Sequence, residues 1–456
     1  MTTLGSARTV DYPSNRYAWY TVFMLTIAYV VSFVDRYILG LMIEPIKTDL
    51  GLSDTQIGLL LGPAFAIFYV TMGLPFGWLV DRKKRTWIIS AGIAVWSAAT
   101  VLSGFARNFV QLFIARMGVG IGEAALSPAA LSMISDSFVK ERRARAVAFY
   151  TMAASLGAGL ASLLGAALLT WAETVPKISL PVVGIVNAWQ LSFIIVGLPG
   201  LLLSLFFLVM REPPRMEYIS TKEGQENSSS VSEMLHYVGV RWRAFAGFVS
   251  LMCLLMIEAF GQKWGAPLFE RTWGWDAASY ATVNGIILLV FGPLTVNAAG
   301  WAADRLLVKG IRDAPLCITI GGVVIMFVTG RFMPLMPNPE MAFVMISINT
   351  VGIAMAAGTA ITALLNITPG QIRGQVVALY FVCINLAGLM LGPTSVAFLT
   401  DNFLGEENLR YSMSLAPLIL GLPVIILIPF IRRYYLNQLS ELERMETSKL
   451  PDWSEN

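Results

Sequence analysis

Twelve runs of about 20 apolar residues follow one another between Tyr17 and Ile431, each long enough to cross a hydrocarbon core of roughly 30 Å as an α-helix. Lipid offers no hydrogen bonds, so each run has to satisfy its own backbone and helices are the economical way to do so. Helices 1 to 12 are read at 17–44, 57–80, 86–106, 109–135, 146–171, 187–210, 244–269, 279–301, 314–330, 341–367, 374–400 and 411–431. Only 13% of the residues are charged, against about 25% in soluble domains, and the mean hydropathy is +0.66. The reading is an all-α integral membrane protein. The first run lacks a small-residue cleavage site behind it and is expected to be retained as a helix. Cys253, Cys317 and Cys383 lie inside apolar runs without paired spacing, which argues against a disulfide framework or a zinc site and for packing roles.

An even number of crossings puts both termini on one side, and the basic residues say which. Most of the 32 Lys and Arg fall in the terminal segments and the loops of that side, whereas each opposite loop carries one, namely Lys47, Arg107, Lys177, Arg271, Arg331 and Arg410. The positive-inside rule then expects both termini in the cytoplasm, of a bacterial inner or plasma membrane. The polar stretch 211–243, with Gln225-Glu-Asn-Ser-Ser-Ser230, is too long for a helical hairpin turn and reads as a linker. The expected organisation is a cytoplasmic segment 1–16, a six-helix half 17–210, the linker 211–243, a second half 244–431 and a cytoplasmic tail 432–456.

An internal repeat supports this division. Gly77-Trp-Leu-Val-Asp81-Arg82 recurs as Gly300-Trp-Ala-Ala-Asp304-Arg305, both at the cytoplasmic end of the second helix of a half. The same displacement carries Gly51 onto Gly274 and Asp35 onto Glu258, and a slightly longer one matches Arg143-Ala-Arg-Ala-Val-Ala-Phe149 to Arg373-Gly-Gln-Val-Val-Ala-Leu379. Two parallel repeats with a binding site at their interface are a transporter architecture.

Ionisable groups inside membrane helices cost about 2.5–3.5 kcal/mol each even on the lenient insertion scale, so those present are functional candidates. Away from helix ends they are Asp35, Arg36, Arg116, Glu123, Glu258 and Lys263. Arg116 and Glu123 are two turns apart and share a face of helix 4. The rise per residue puts Asp35, Arg116 and Glu123 roughly 13, 10 and 21 Å below the outer helix ends, so one cavity can gather them. Two readings stand side by side. Arg116 with Asp35, or Arg36 with Glu123, are static buried pairs, or a carboxylate changes protonation or partner during transport. For Asp35 a third role is open, as ligand for a cationic substrate group. Glu258 and Lys263 are read either as substrate or proton handling or as an interfacial pair. The glycines of Arg116-Met-Gly-Val-Gly-Ile-Gly-Glu123 point to close helix packing. No Gly-x-x-x-x-Gly-Lys-Ser/Thr loop suggests ATP as a driver, and the lone His236 reads as a solvated linker residue.

The loop Gly77-x-x-x-Asp81-Arg82-Lys-Lys-Arg85 resembles the conserved helix 2–3 loop of the major facilitator superfamily, with Lys84 where that family usually has glycine. Arg116-x-x-x-Gly-x-Gly-Glu-Ala resembles its helix 4 pattern, and Gly157-Ala-Gly159 with Gly165 its glycine-rich helix 5. More narrowly, Asp35-Arg36-Tyr37 with Gly122-Glu123-Ala124 resembles the Spinster branch, associated with lysophospholipid and sphingolipid-type substrates. The resemblance implies twelve transmembrane helices in two six-helix repeats, and Asp35, Glu123 and Arg116 as coupling residues.

The expectation is a secondary transporter for a small organic, amphipathic or lysolipid-like substrate, proton-coupled and working by alternating access. It is expected to be a monomer, with membrane lipids around it and no nucleic-acid partner, cofactor or metal. Asp35, Arg36, Arg116, Glu123 and Glu258 are its expected coupling and substrate residues. Gly77, Asp81, Arg82, Arg85, Gly300, Asp304 and Arg305 are expected to gate the cytoplasmic side through charge pairs that break on opening. An uncoupled carrier is the alternative. A membrane enzyme would need a nucleophile with a base, or a metal cluster, which one loop histidine and scattered cysteines do not supply, and a receptor would not need the duplicated loops.

Overall fold

A computed structural model of the chain describes residues 12–174, 178–180, 184–215, 231–369 and 372–447. Twelve helices in it are long and apolar enough to cross a membrane. Helices 1 to 6 are Asn15–Leu41, Asp54–Val80, Arg85–Ser103, Phe109–Ser137, Arg145–Trp171 and Ala188–Val209. Helices 7 to 12 are Trp242–Trp273, Ala277–Val308, Ala314–Leu335, Pro339–Asn366, Arg373–Leu404 and Glu406–Ile426. The face that carries the start of helix 1 and the end of helix 12 is the terminal face, and the other is the far face.

Several crossings are broken where the sequence reads them as continuous. Helix 2 divides into Asp54–Leu61 and Pro63–Arg82. Pro63 has no N–H to donate, and Phe65 N bonds the Gly62 carbonyl (3.1 Å), so the Leu61 carbonyl is left for another partner. Helix 7 is interrupted by a 3-10 turn at Gln262–Trp264. Beyond helix 12, the part of the expected tail that is described is helical, Ile428–Thr447, and docks through Tyr435, whose hydroxyl donates to the Ala363 carbonyl (2.7 Å). A helix Val231–Val240 occupies the linker and carries His236 exposed to solvent. The linker run Gln225 to Ser230 lies outside the described residues. Between helices 5 and 6, Ile178–Leu180 and Gly184–Val186 pair antiparallel, with Ile178 opposite Val186. This short hairpin is an addition to an otherwise helical fold.

The repeat is visible in geometry. Gly51 and Gly274 both end a short helix in the left-handed region, at φ 62° and 69°, where a Cβ is strained. Helix 3 crosses helix 4 with Gly92 against the Gly122 carbonyl, and helix 9 crosses helix 10 with Gly322 against that of Gly352. A Cβ at either Gly122 or Gly352 would come within 2.8 Å of the facing backbone, so both crossings need the small residue.

The apolar core shows how the halves meet. One cluster on the far side joins Ile38, Leu61 and Phe193 of the first half to Trp264, Phe269 and Met413 of the second. Toward the terminal face the core divides into a cluster built mainly from the first half and another from the second half with the linker and tail helices. Ion pairs follow the same division. On the far face Arg271 bonds Glu44 and Asp54, Lys47 bonds Asp54 and Glu406, and Thr55 N donates to Asp401 (2.6 Å), all but one of these crossing between halves. The terminal-face pairs Arg85–Glu212, Arg241–Glu441, Arg312–Glu443 and Arg432–Asp313 each stay on one side of the linker, with either its start or its end. The molecule is therefore fastened across its far side.

Candidate functional site

Asp35 and Arg36 sit in the middle of helix 1, and Arg116 and Glu123 project from helix 4. The structure brings all four together in the first half. Asp35, Arg116 and Glu123 are at most 2% exposed. Of the two pairings open in the sequence, Arg36 with Glu123 forms an ion pair through Arg36 Nε and Glu123 Oε2. The Arg36 guanidinium also lies over Phe65 and Tyr69 of helix 2, at 4.7 and 4.8 Å from the ring centroids, where aromatic faces attract a cation. Arg116 meets residue 35 differently, through a long contact of Nη1 to the Asp35 backbone oxygen (3.5 Å). Among the described residues neither Asp35 carboxylate oxygen has a hydrogen-bond partner, nor do Glu123 Oε1 and Arg116 Nε. Buried polar atoms are ordinarily bonded, and unbonded ones here form a group with acceptors and donors to offer a ligand or proton. Burying charges of both signs side by side gives the site something to exchange.

Glu258 stands apart, in the second half. Its Oε1 accepts from Asn349 Nδ2 (3.2 Å) of helix 10, and that amide also donates to the Met326 carbonyl (3.0 Å) and contacts Thr329 Oγ1 (3.1 Å). Gln262 donates to Asn349 Oδ1. Lys263 is not paired with Glu258: its ammonium donates to the Leu61 carbonyl (3.1 Å) freed by the break in helix 2, so a cation from one half fills a backbone gap in the other. Gly40, which the repeat displacement carries onto Lys263, faces it, with the Lys263 carbonyl 3.6 Å from where a Cβ would stand. Repeat-related positions thus meet between helices 1 and 7.

The residues expected at the gate take different places. Arg82 stacks on Trp78 (4.2 Å) and Arg305 on Trp301 (3.8 Å), both exposed on the terminal face, the same cation-over-indole contact in each repeat. Gly77 and Gly300 have open space around them. Asp304 is exposed, and the Asp81 side chain lies outside the described residues. Arg85 is fully buried within the first half, paired with Asp136 and with Glu212 (2.8 Å) and donating to the Pro213 carbonyl (2.8 Å).

Sequence reasoning missed the far-face network. Asp54 begins a helix behind Ser53, whose hydroxyl and Gln56 form a capping box, and such a residue reads as an ordinary cap partner. Asp54, Asp401 and Glu406 converge there, and the Lys47 ammonium is the cation bonded to two of them. It also missed Asn349 and Gln262, because neutral amides inside a membrane helix carry no charge signal.

A model of the Major Facilitator Superfamily matches residues 25–393. The fold is similar to that of a bacterial homologue of the human lysosomal transporter Spinster, solved in an inward-facing and unoccupied conformation, with a TM-score of 0.77 and 25% identity over 94% of this chain and 98% of that one. An MFS-type efflux pump of Mycolicibacterium smegmatis is 27% identical over 89% of this chain and 90% of its own. A probable L-galactonate transporter of Escherichia coli is 25% identical, covering 81% of each.

Proposed function

This chain belongs to the major facilitator superfamily, a multi-pass membrane transporter that resembles the Spinster branch, and from that premise we propose that it is a proton-coupled secondary carrier of an amphipathic organic anion of lysolipid type. The observation that carries this reading is the group in the first half: a buried Arg36–Glu123 pair beside an Asp35 carboxylate with no hydrogen-bond partner among the described residues and an Arg116 with unspent donors. In this mechanism Asp35 and Glu123 take up protons. Protonation of Glu123 releases Arg36, which joins Arg116 in receiving the anionic group of the substrate, while Phe33, Phe65 and Tyr69 around Arg36 suit an apolar neighbour. Because ion pairs fasten the far side, the route to the site in this proposal opens on the terminal face, which we assign to the cytoplasm of a bacterial inner membrane. Opening to the outside then needs the Arg271, Asp54 and Lys47 network to part, and proton uptake biases the balance between the two states.

A short hydrophilic organic anion is the second reading, favoured by the similarity to the probable L-galactonate transporter. The test is uptake by purified protein in liposomes of a panel that pairs lysophospholipids with sugar acids, with and without a pH gradient. Accumulation of one class that collapses with a protonophore supports the proposal and chooses the substrate. Equilibration without accumulation selects an uncoupled carrier, and chemical conversion of the compound, or binding without movement, overturns the transporter mechanism.

A further inference from the structure

The second half contains a carboxylate that the mechanism above does not use. Glu258 is 3% exposed, and among the described residues its Oε2 has no hydrogen-bond partner. Among the described residues no Arg, Lys or His is ion-paired with it. The cations of the surrounding elements are committed elsewhere: Lys263 to the Leu61 carbonyl, Arg331 over Phe332 (5.5 Å), and Arg410 to the Met336 carbonyl (3.4 Å). An ionised carboxylate in a membrane helix with no counter-charge is costly, so the site has to be neutralised by something it binds.

The space for that ligand is present. Glu258 lines a cavity of about 20 Å³, somewhat more than one water needs, between helices 7, 9, 11 and 12. Gln262 and Ser395 line it too, with Gly330, Met333 and Met413. The orientation of the amides is settled by geometry. Asn349 Nδ2 donates to a backbone carbonyl, which can only accept, so Asn349 Oδ1 is the acceptor for Gln262 Nε2 and the Gln262 carbonyl oxygen remains an acceptor. Ser395 donates to the Gly392 carbonyl (3.2 Å) and keeps its lone pairs. The donor set is then all oxygen with a single negative charge. Gly330 belongs to the site because any side chain there would occupy the position of Glu258 Oε1.

We infer that the second half holds a binding site for a small monovalent cation, a proton or Na⁺, with Glu258 as its anionic ligand and Gln262 and Ser395 as neutral ones. One carboxylate balances one positive charge, whereas divalent cations are held by several carboxylates or by waters and phosphates. The site is separate from the Asp35, Arg116 and Glu123 group and is read by binding rather than by transport, so it stands or falls independently of the proposed coupling.

The test uses the full chain in nanodiscs. Its melting temperature is followed as NaCl replaces choline chloride at constant ionic strength, and the infrared carboxylic-acid band is followed between pH 5 and 9, each for wild type, Glu258→Gln and Asp35→Asn. A saturable rise of roughly 2–4 °C with Na⁺, present in wild type and Asp35→Asn and lost in Glu258→Gln, identifies sodium. No sodium response, but a titrating band that survives in Asp35→Asn and disappears in Glu258→Gln, identifies the proton. Neither response at Glu258 overturns the inference. If Glu258→Gln does not fold, Gln262→Leu replaces it, and a wild-type sodium response or titration that is unchanged in that variant also overturns it.

Discussion

The two halves repeat a pattern of glycines and differ in how they hold charge. In the first half, Asp35 is followed by Arg36, and helix 4 adds Arg116 and Glu123. In the second, the repeat displacement carries Asp35-Arg36 onto Glu258-Ala259, and the longer one carries Arg116 and Glu123 onto Ile346 and Ile353. The first half thus answers Glu123 with the Arg36 guanidinium, and the second answers Glu258 with the amide of Asn349, which Gln262 bonds in turn. Paired charges have a second partner to move to when one is protonated, whereas a carboxylate among neutral amides can only gain or lose a cation. In the mechanism proposed above, partner exchange falls to the first half and cation occupancy to the second.

The largest effect that would break this comparison lies at Glu123. Glu123→Gln removes the partner of Arg36, and the accumulation ratio under a proton gradient is expected to fall to about one, with its pH response flattened. Glu258→Gln is expected to flatten the pH response less, and the opposite ranking in matched liposomes refutes the asymmetry. Asp35→Asn is expected to preserve substrate exchange while abolishing accumulation, and a well-folded variant that still accumulates removes Asp35 from coupling.

The terminal face offers the next contrast, because each half ties the start of its third helix to the segment after its sixth with opposite polarity. In the first half the cation Arg85 is wholly buried, and Arg85→Gln leaves Asp136 and Glu212 without it. Losing one partner of a buried ionic group costs about 3–5 kcal/mol, measurable as a fall in melting temperature. A loss below about 1 kcal/mol would mean that solvent reaches this cluster.

A kinetic effect of intermediate size is expected at the repeated loops. If Asp81 and Asp304 close the cytoplasmic side when the carrier opens outward, Asp81→Asn and Asp304→Asn slow turnover several-fold while substrate affinity stays near the wild-type value. Wild-type rates at equal membrane protein would remove the gate role from both.

The smallest effect belongs to the second half's version of the tie. Burial raises the Asp313 carboxyl, but the hydrogen bond from Arg432 Nε (2.6 Å) outweighs it and holds the carboxyl below its ordinary range. A depressed carboxyl stabilises the fold fully above the unfolded value near 3.8, and that stabilisation is lost as pH falls through the folded value. Arg432 is half exposed, so Asp313→Asn is expected to cost less than about 1 kcal/mol at neutral pH and nothing at the acid end. A pH-independent cost would show that the loss is one of packing.

Much of this molecule was legible from its residues. Twelve crossings follow from run lengths, because a backbone in lipid has to satisfy its own hydrogen bonds and an apolar run of about 20 residues does so as a helix. The repeat follows from recurring Gly-x-x-x-Asp-Arg, and the candidate group from charges standing inside apolar runs. Tertiary structure alone decided who pairs with whom. Distance along a helix gives the depth of Asp35, Arg36, Arg116 and Glu123, but the rotation of helix 1 against helix 4 selects Arg36 for Glu123 and leaves Asp35 without a hydrogen-bond partner among the described residues. Lys263 reaches Leu61 only because Gly62-Pro63 breaks helix 2 where helix 7 passes. The far-face network joins residues from opposite ends of the chain whose charges look like ordinary caps and loop ends. Local composition records what a segment costs in lipid, while the choice of partner depends on the helix packing that brings distant segments within a few ångströms.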